Sequence, residues 1–310
     1  MTYLIDINGL GYGKIISNLT VATSADNSVA QIDFELLYRE KEYAKAGDVV
    51  TVYKDKKRLY TAKVIEVDKV SNKRRKITAM DYGFYFNNNE VIIQFKKVPA
   101  EQALKKLLEK FGVNPLFLTA LPQKINKVYK GDTVSDVIKD ILNTCTSVTG
   151  RRYYFEMRDT QLVIGMLRDN VYTKGIDLFI NPSAKHSIST LRNKVTVVSE
   201  DSDKLQVFHT TEDAASIKKF GMLQKVEQIK AENKAQAKKI AQETLKKLNK
   251  VQVSGSVETV STDLELRANK VIELKEPNTG LSGTFVIKSC THALTKLDGL
   301  HSVKLEVEPL

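Results

Sequence analysis

The hydrophobic pattern of residues 46–80 predicts three successive β-strands. Residues 49–53 are rich in β-branched side chains, residues 59–67 alternate polar and apolar side chains, and residues 77–80 form the last short strand. Charged or Asn- and Lys-bearing turns separate the three. Alternation between such turns is typical of an antiparallel sheet that buries one face.

A second stretch, residues 266–307, has the same order of parts. Each stretch opens with a short turn, Ala-Gly-Asp at residues 46–48 and Ala-Asn-Lys at residues 268–270. An apolar strand, a polar turn, a second strand, a charged turn and a last strand then follow. Two divergent copies of one β unit near the two ends predict an internal pseudo-repeat.

The rest of the chain extends each copy into a larger module. Residues 30–38 alternate between apolar and polar side chains except at Leu37, and residues 1–98 as a whole predict a first antiparallel β-barrel. Residues 186–310 predict a second barrel. Its strands come from residues 192–210 and 251–307, and one long amphipathic helix at about residues 225–248 interrupts it.

Residues 99–185 lie between the two barrels and predict a helical linker followed by a small α+β insert. Its helix is expected at about residues 133–146, after Thr133 as N-cap, and a hairpin is expected at residues 153–167. The predicted fold class is therefore α+β and mainly β: two similar antiparallel β-barrels with a small α+β insert and one long amphipathic helix.

The composition is that of a soluble globular protein, with 310 residues of which 42% are hydrophobic and 27% charged. No run of about 18 apolar residues occurs, so neither a transmembrane helix nor membrane insertion is predicted. The N-terminus lacks the features of a signal peptide, which places synthesis in the cytoplasm. Cys145 and Cys290 lie in apolar surroundings and are predicted to be buried and reduced.

The net charge of +11 could indicate a polyanionic partner, and nucleic-acid binding stays open as one alternative function. The lysines and arginines are dispersed over turns and along one helix face, and no nucleic-acid-binding motif accompanies them. Solvated turns and a solvated helix face explain such a distribution better than a dedicated nucleic-acid site does.

The sequence contains no catalytic constellation. It has no Walker loop, dinucleotide fingerprint or nucleophile elbow, and its four histidines show no metal-ligand spacing. His292 and His301 are expected on a strand surface or in a turn. The prediction is a non-enzymatic protein with no catalytic residue, metal or cofactor.

One stretch does suggest binding. Residues 128–138 resemble the opening of a LysM module, which binds peptidoglycan sugars, and the candidate glycan contacts are Tyr129, Gly131, Asp132 and Thr133. A Gly-Asp-Thr turn that caps the following helix accounts for the same residues on folding grounds. A peptidoglycan-binding or cell-wall-lytic tail protein is therefore a further alternative.

Features spread over most of the chain resemble one protein family. They are the alternating strand at residues 30–38, the first three-strand stretch, the segments at residues 191–195 and 216–221, and the closing stretch GTFVIKSCTHALTKLDGLHSVKLEV. Together they resemble the baseplate hub proteins of contractile phage tails. The most similar branch is the PBSX-like prophage hubs of Gram-positive bacteria, related to the late control D family.

The resemblance implies a structural, non-enzymatic role. Members of that family form a trimeric ring with two similar barrels per subunit, which joins the six-fold tail tube to the three-fold central spike. The implied partners are two further copies of the chain, the tail tube protein, the central spike protein, other baseplate proteins and DNA passing through the lumen. The implied location is the bacterial cytoplasm during assembly and then the tail baseplate of a virion or released particle.

Overall fold

The computed structural model describes residues 3–11, 16–37, 44–71, 73–176, 178–199, 206–229, 231–294 and 301–310. The chain divides into two compact units. The first compact unit combines Met1–Ser183 with Ser256–Leu310, and the second is Ala184–Gly255. The division at residues 98 and 185 predicted from the sequence is finer than this and stays a prediction.

Strands dominate the first half of the chain. In chain order the elements are β1 (Tyr3–Ile7), β2 (Leu10–Gly11), β3 (Ile16–Ser24), β4 (Ala30–Leu37), β5 (Val49–Lys54), β6 (Lys57–Ser71), β7 (Arg74–Asp81), α1 (Gly83–Asn88), β8 (Glu90–Pro99), α2 (Ala100–Glu109), β9 (Leu116–Phe117), β10 (Lys124–Thr133), α3 (Val134–Thr149), β11 (Tyr153–Arg158) and β12 (Gln161–Met166).

The second half continues in the same manner. Its elements are β13 (Ile180–Ser187), β14 (Lys194–Ser199), β15 (Val207–Glu212), α4 (Ala214–Phe220), β16 (Gln224–Ile229), α5 (Ala237–Leu248), β17 (Gln252–Ser261), β18 (Val271–Glu276), β19 (Leu281–Leu294) and β20 (His301–Pro309). Short 3₁₀ turns at Leu167–Asp169 and Ala231–Gln236 complete the described secondary structure.

Twelve of the strands form one sheet. Its order is β13-β17-β20-β19-β3-β4-β7-β6-β5-β1-β2, and β18 pairs with β19 beside this path. Every register recorded within this sheet is antiparallel. The fold is thus mainly β, as predicted. The described strands do not form the two closed barrels that the sequence pattern predicted, because the terminal strands β13 and β2 each pair with one neighbour only.

The buried face of this sheet follows from alternation. In β4 every second side chain from Ala30 to Leu36 is buried, and the polar residues between them are half-exposed. These side chains join those of β1, β3, β5, β6 and β7 in one hydrophobic core. The β5–β6 hairpin closes through Asp55 and Lys56, both with positive φ, as a two-residue turn of the type that suits the strand twist.

The region from α1 to β12 packs around a separate core within the first compact unit. α2 contributes Ala103, Leu104, Leu107 and Leu108, all fully buried. α3 begins after Thr133 and runs to Thr149, three residues beyond the predicted end. It stops at Gly150, whose φ of 68° lies in the left-handed region that glycine adopts without steric cost. Two helices and a hairpin therefore cover the β8–β10 pair.

The second compact unit has its own three-stranded sheet, β15-β14-β16, with α5 packed on it through Ala237 and Ala241. β14 and β15 were predicted to complete the second barrel with residues 251–307, but they belong to this separate sheet instead. The predicted helix over residues 225–248 is also shorter: Gln224–Ile229 form strand β16, parallel to β14, and α5 begins at Ala237.

Asn193 holds the entrance to this small sheet together. Its side chain is fully buried, donates to Gly221 O at 2.7 Å and accepts from Leu223 N at 2.8 Å. An amide satisfied on both sides in this way fixes the loop before β16 against the start of β14. This contact accounts for the asparagine in the 191–195 segment that carried part of the family resemblance.

Candidate interaction surface: two β-meanders of equal register

The two three-strand stretches predicted from the sequence each form an antiparallel meander. The first β-meander is β5, β6 and β7, and the second β-meander is β18, β19 and β20. In the first, Val49 pairs with Lys63 and Val50 with Ala62. In the second, Val271 pairs with Val286 and Ile272 with Phe285. The registers therefore place Val271 where Val49 stands.

The agreement extends to one irregularity, while two further shifts in the first meander, at Val52/Tyr53 and Lys69/Ser71, have no counterpart in the recorded registers of the second. A register shift separates Val64 from Glu66 where β6 pairs with β7, and another separates Ile287 from Ser289 where β19 pairs with β20. Counted from the pairs above, both shifts fall at the same position of the meander. A β-bulge re-aims the strand that carries it, so a shared bulge bends the two meanders at the same point.

The turns before the two meanders also make the same hydrogen bonds. Gly47 N donates to Val64 O at 2.8 Å and Asn269 N donates to Ile287 O at 2.9 Å. Val64 N and Ile287 N in turn donate to the carbonyl of the next turn residue, each at 2.9 Å. Gly47 has φ 91° and Asn269 φ 66°, so asparagine takes the left-handed conformation that glycine takes in the first turn.

The second meander is joined to the strands at the N-terminus. Residues 289–294 of β19 pair antiparallel with β3, so that His292 lies opposite Val21 and Leu294 opposite Leu19. β18 and β3 occupy the same edge of β19, one after the other, because β20 covers the opposite edge. The two β-meanders thus belong to one continuous sheet.

The segment between β17 and β18 crosses this junction and ties it together. Tyr3 Oη donates to Thr262 O at 2.8 Å, and Lys54 Nζ donates to the same carbonyl at 2.7 Å. Ala268 N donates to Thr23 Oγ1 at 3.0 Å. Asp263 lies near Lys54 and Lys174, whose positive charges hold the pKa of its carboxyl below the ordinary value against the opposing effect of burial.

A buried ion pair links the β11–β12 hairpin to the same segment. Arg267, with 7% of its side chain exposed, lies 3.4 Å from Glu156, with 9% exposed. Glu156 is shared with Arg158 at 2.8 Å. Burial alone would lower the pKa of Arg267, but the carboxylate of Glu156 reverses the effect and raises it. The guanidinium is therefore a permanent buried charge that requires its partner.

The same hairpin contacts both meanders. Asp159 at its tip pairs with Arg58 of the first meander at 2.6 Å. Tyr154 and Leu167 pack against Val271 and Val286 of the second. These contacts fix the two meanders to one support, which suits a rigid binding surface better than a moving one.

Two histidines of the second meander, His292 in β19 and His301 in β20, are buried, not on a surface or in a turn as predicted. His292 Nε2 lies 2.6 Å from Leu266 O and so carries the proton that it donates. In the neutral ring Nδ1 then accepts, and His301 Nε2 donates to it across 2.8 Å. Burial lowers the pKa of His292 to about 4. The sequence showed two histidines on facing strands but not that they meet.

The cysteines are both buried and free. Cys290 Sγ donates to Leu266 O at 3.0 Å, beside the histidine pair, and burial raises its pKa above the ordinary range. A thiol held protonated in this way is a poor nucleophile. Within the described residues no group of three or more His, Cys, Asp and Glu side chains is placed to hold a metal ion.

The four candidate glycan contacts lie together at the end of β10 and the start of α3. Tyr129 is buried and donates to Asp140 Oδ2 at 2.6 Å, and Asp132 accepts from Lys130 N at 3.0 Å. Gly131 adopts φ 84°. Thr133 caps α3, accepting from Asp136 N at 3.1 Å. Each has a role in folding, and glycan binding stays a prediction.

The cap at Thr133 allows a direct test of that folding role. We expect Thr133→Ala to lower the free energy of unfolding by about 1 kcal/mol, because the backbone N–H of Asp136 loses its acceptor. Thr133→Ser, which keeps the hydroxyl, should lose little of this stability. Urea unfolding of the three proteins would measure the difference, and equal stability of the alanine and serine variants would contradict the assignment.

No helix in the described ranges has both the length and the apolar character needed to cross a membrane.

Comparisons with known proteins identified a matching family model and solved structures with a similar fold. The model of a family described as YQBQ-like matches residues 19–308. A comparison with curated proteins found no match.

Several solved structures share the fold. The 43 kDa tail protein of prophage MuSo2 from Shewanella oneidensis is 14% identical with a TM-score of 0.74, over 100% of this chain and 98% of its own. The tail protein from Neisseria meningitidis MC58 is 13% identical with a TM-score of 0.70, over 99% and 97%. The E. coli c3393 protein, a component of the type VI secretion system similar to T4 tail proteins gp27 and gp5, is 9% identical with a TM-score of 0.62, over 99% and 76%. The fold is therefore that of phage tail and tail-like proteins.

Proposed function

The chain belongs to the YQBQ-like family, and we propose that it is a structural hub of a contractile-tail baseplate. In this role three copies form a ring that joins the six-fold tail tube on one side to the three-fold central spike on the other. The role is non-enzymatic, and the other partners are further baseplate proteins. The tail proteins that share its fold support this assignment.

The observation that carries the proposal is the equal register of the two β-meanders. A register shift and a preceding turn lie at matching positions in both meanders, which supports a duplicated unit and hence two similar surfaces on every subunit. A trimer can meet a hexameric partner only if each of its subunits offers two nearly equivalent contacts. The proposed internal repeat therefore has a geometric role, which is to match three subunits to a six-fold partner. This role requires no catalytic site.

The experiment is the assembly of the purified chain. Light scattering should give three times the monomer mass at micromolar concentration, and electron micrographs should show a three-fold ring with six similar lobes around a channel. A chain that stays monomeric at high concentration, with no ring in the micrographs, would contradict the hub.

DNA in the lumen is a further part of the proposal that this preparation can test. Basic side chains such as Lys69, Lys73 and Lys76 are exposed around the β6–β7 turn. If they face DNA, the ring should bind duplex DNA with an affinity that falls steeply as salt rises.

A further inference from the structure

Half of strand β6 presents an edge that pairs with none of the described strands. β6 pairs with β5 through residues 57–63 and with β7 through residues 62–71. Ala62 and Lys63 pair with both, so β5 and β7 lie on opposite edges. On the β5 edge, residues 66–71 continue beyond the end of β5. A strand edge of this kind offers its backbone N–H and C=O groups to another strand.

The equivalent edge in the second β-meander is occupied. The registers place residues 66–71 of β6 where residues 289–294 of β19 stand, because Val64 corresponds to Ile287 and both bulges follow directly. Residues 289–294 pair along their whole length with β3. The molecule itself therefore shows what an edge at this position binds: an antiparallel strand.

The order of the sheet identifies the corresponding strand of the second half. The path β3-β4-β7-β6-β5 in the first half is matched by β13-β17-β20-β19-β18 in the second, so β13 takes the place of β3. β13 pairs with β17 alone among the described strands and ends the sheet. One strand edge is thus open in each half, on β6 and on β13.

The two open edges do not pair with each other within the described strands. Six strands lie between β13 and β6 in the sheet order. At a spacing of about 4.8 Å per strand, the two edges are roughly 30 Å apart along the sheet. β13 and β6 do not pair among the described strands, and the β13 of a second copy offers β6 a matching edge.

We propose that residues 66–71 of β6 pair with β13 of a second copy of this chain, so that the β19–β3 pairing within each subunit is repeated between subunits. The inference rests on the proposed hub and names its subunit contact. Such a contact joins two different surfaces, and repeated contacts of this type form a ring when the rotation between neighbouring copies closes, here after three copies. Pro182 removes at most one backbone donor from β13, which an edge strand tolerates.

The side chains along both edges are accessible for this pairing. Val70 of β6 is 52% exposed, and Asn181 and Ser183 of β13 are exposed. Asn181 and Ser183 lie in the part of β13 that belongs to the first compact unit, as β6 does. Opposite residues of an antiparallel pair have Cα atoms about 4.5–5.5 Å apart, within reach of a disulfide.

Disulfide trapping tests the contact. Val70→Cys and Ser183→Cys chains with different tags are co-expressed, purified as the assembled complex and oxidised. Val70→Cys with Asn181→Cys samples the register two residues away. The native cysteines do not compete, because both are buried. We expect a covalent dimer from at least one mixed pair and none from any single variant, since equal residues do not meet in a head-to-tail contact.

The double variant on one chain should give a covalent trimer. Val148→Cys, at a valine of α3 that is 62% exposed against 52% for Val70, replaces Val70→Cys in the matched control and should give no dimer with either β13 variant. A trimer by light scattering that yields no dimer from either mixed pair would overturn the β6–β13 contact while leaving the hub intact. A monomer by light scattering would instead overturn the hub itself.

Discussion

Replacing Arg267 with methionine is expected to lower the free energy of unfolding by about 3 kcal/mol. The substitution keeps most of the volume but removes the buried positive charge beside Glu156. Arg158 still contacts Glu156, so the carboxylate keeps one partner, but that partner lies on the more exposed side. The loss should appear as a lower midpoint of urea unfolding at an unchanged slope.

The double variant Arg267→Met, Glu156→Gln separates the ion pair from simple packing. Removing both charges leaves no unpaired buried carboxylate, because Glu265, the other carboxylate at Arg267, is 46% exposed, so the double variant should recover most of the lost stability. If the single variant loses less than about 1 kcal/mol, or if the double variant is less stable still, the pair does not stabilise the junction in the way described.

Substituting His292 with glutamine should change how stability depends on pH. Burial lowers the pKa of His292 from 6.5 in the unfolded chain to about 4 in the folded protein. Between these values the unfolded state binds the additional proton, so the contribution of His292 to stability is complete above pH 6.5 and is lost as pH falls to 4. The loss is about 3 kcal/mol. Glutamine can still donate to Leu266 O but does not titrate.

The effect must be measured as the difference in unfolding free energy between His292→Gln and wild type at each pH. The reason is that Asp81 titrates in the same pH range and changes the stability in the opposite direction. Burial raises its pKa from 3.8 to about 7, although Ala30 N and Gly83 N both donate to it. Its ionisation therefore removes about 4 kcal/mol as pH rises through this range. Wild type alone could look nearly independent of pH.

Relative to wild type, His292→Gln should become more stable by about 3 kcal/mol between pH 7 and pH 4. His186→Gln, at an exposed histidine, serves as the control and should follow wild type throughout. A stability difference between His292→Gln and wild type that stays constant with pH would show that His292 does not titrate as a buried neutral ring.

Much of the β structure could be predicted because alternating apolar and polar side chains directly indicate a strand with one buried face. The two β-meanders follow from side chains that alternate between a buried and an exposed face, and the matching turns were visible as short polar stretches. In the second turn Asn269 stands where the first turn has Gly47. Asparagine tolerates positive φ, and this tolerance is the reason that both turns make the same hydrogen bonds.

The predicted helix began at about residue 225, whereas α5 begins at Ala237. The exposure of Val226 explains the difference. The spacing of Val226, Ile229 and later apolar residues fits a helical stripe, but Val226 is 51% exposed. In β16 the half-buried face consists of Lys225, Glu227 and Ile229, and the first two form an ion pair at 3.2 Å. Partly buried charged residues hid the strand from a reading based on apolar spacing.

The contacts at the candidate interaction surface could not be predicted from the sequence pattern, for a different reason. The pairing of β19 with β3, the Arg267–Glu156 pair and the His292–His301 contact all join residues that are distant in the chain or on separate strands. Periodicity reports which face of an element is buried, and not what covers it. The open edge of β6 became visible only once the register of every neighbouring strand was known.

The pairing of β3 with β19 also means that β3 must wait for its partner strand during synthesis. β3 leaves the ribosome long before its partner β19, since Val21 waits for His292. At about 5–20 residues per second, roughly a quarter of a minute to a minute passes before the edge of β3 can be covered. During that time every nascent chain carries an exposed edge that neighbouring chains on the same message could bind. Synthesis from well-spaced ribosomes, or a chaperone that covers β3, would favour the correct partner.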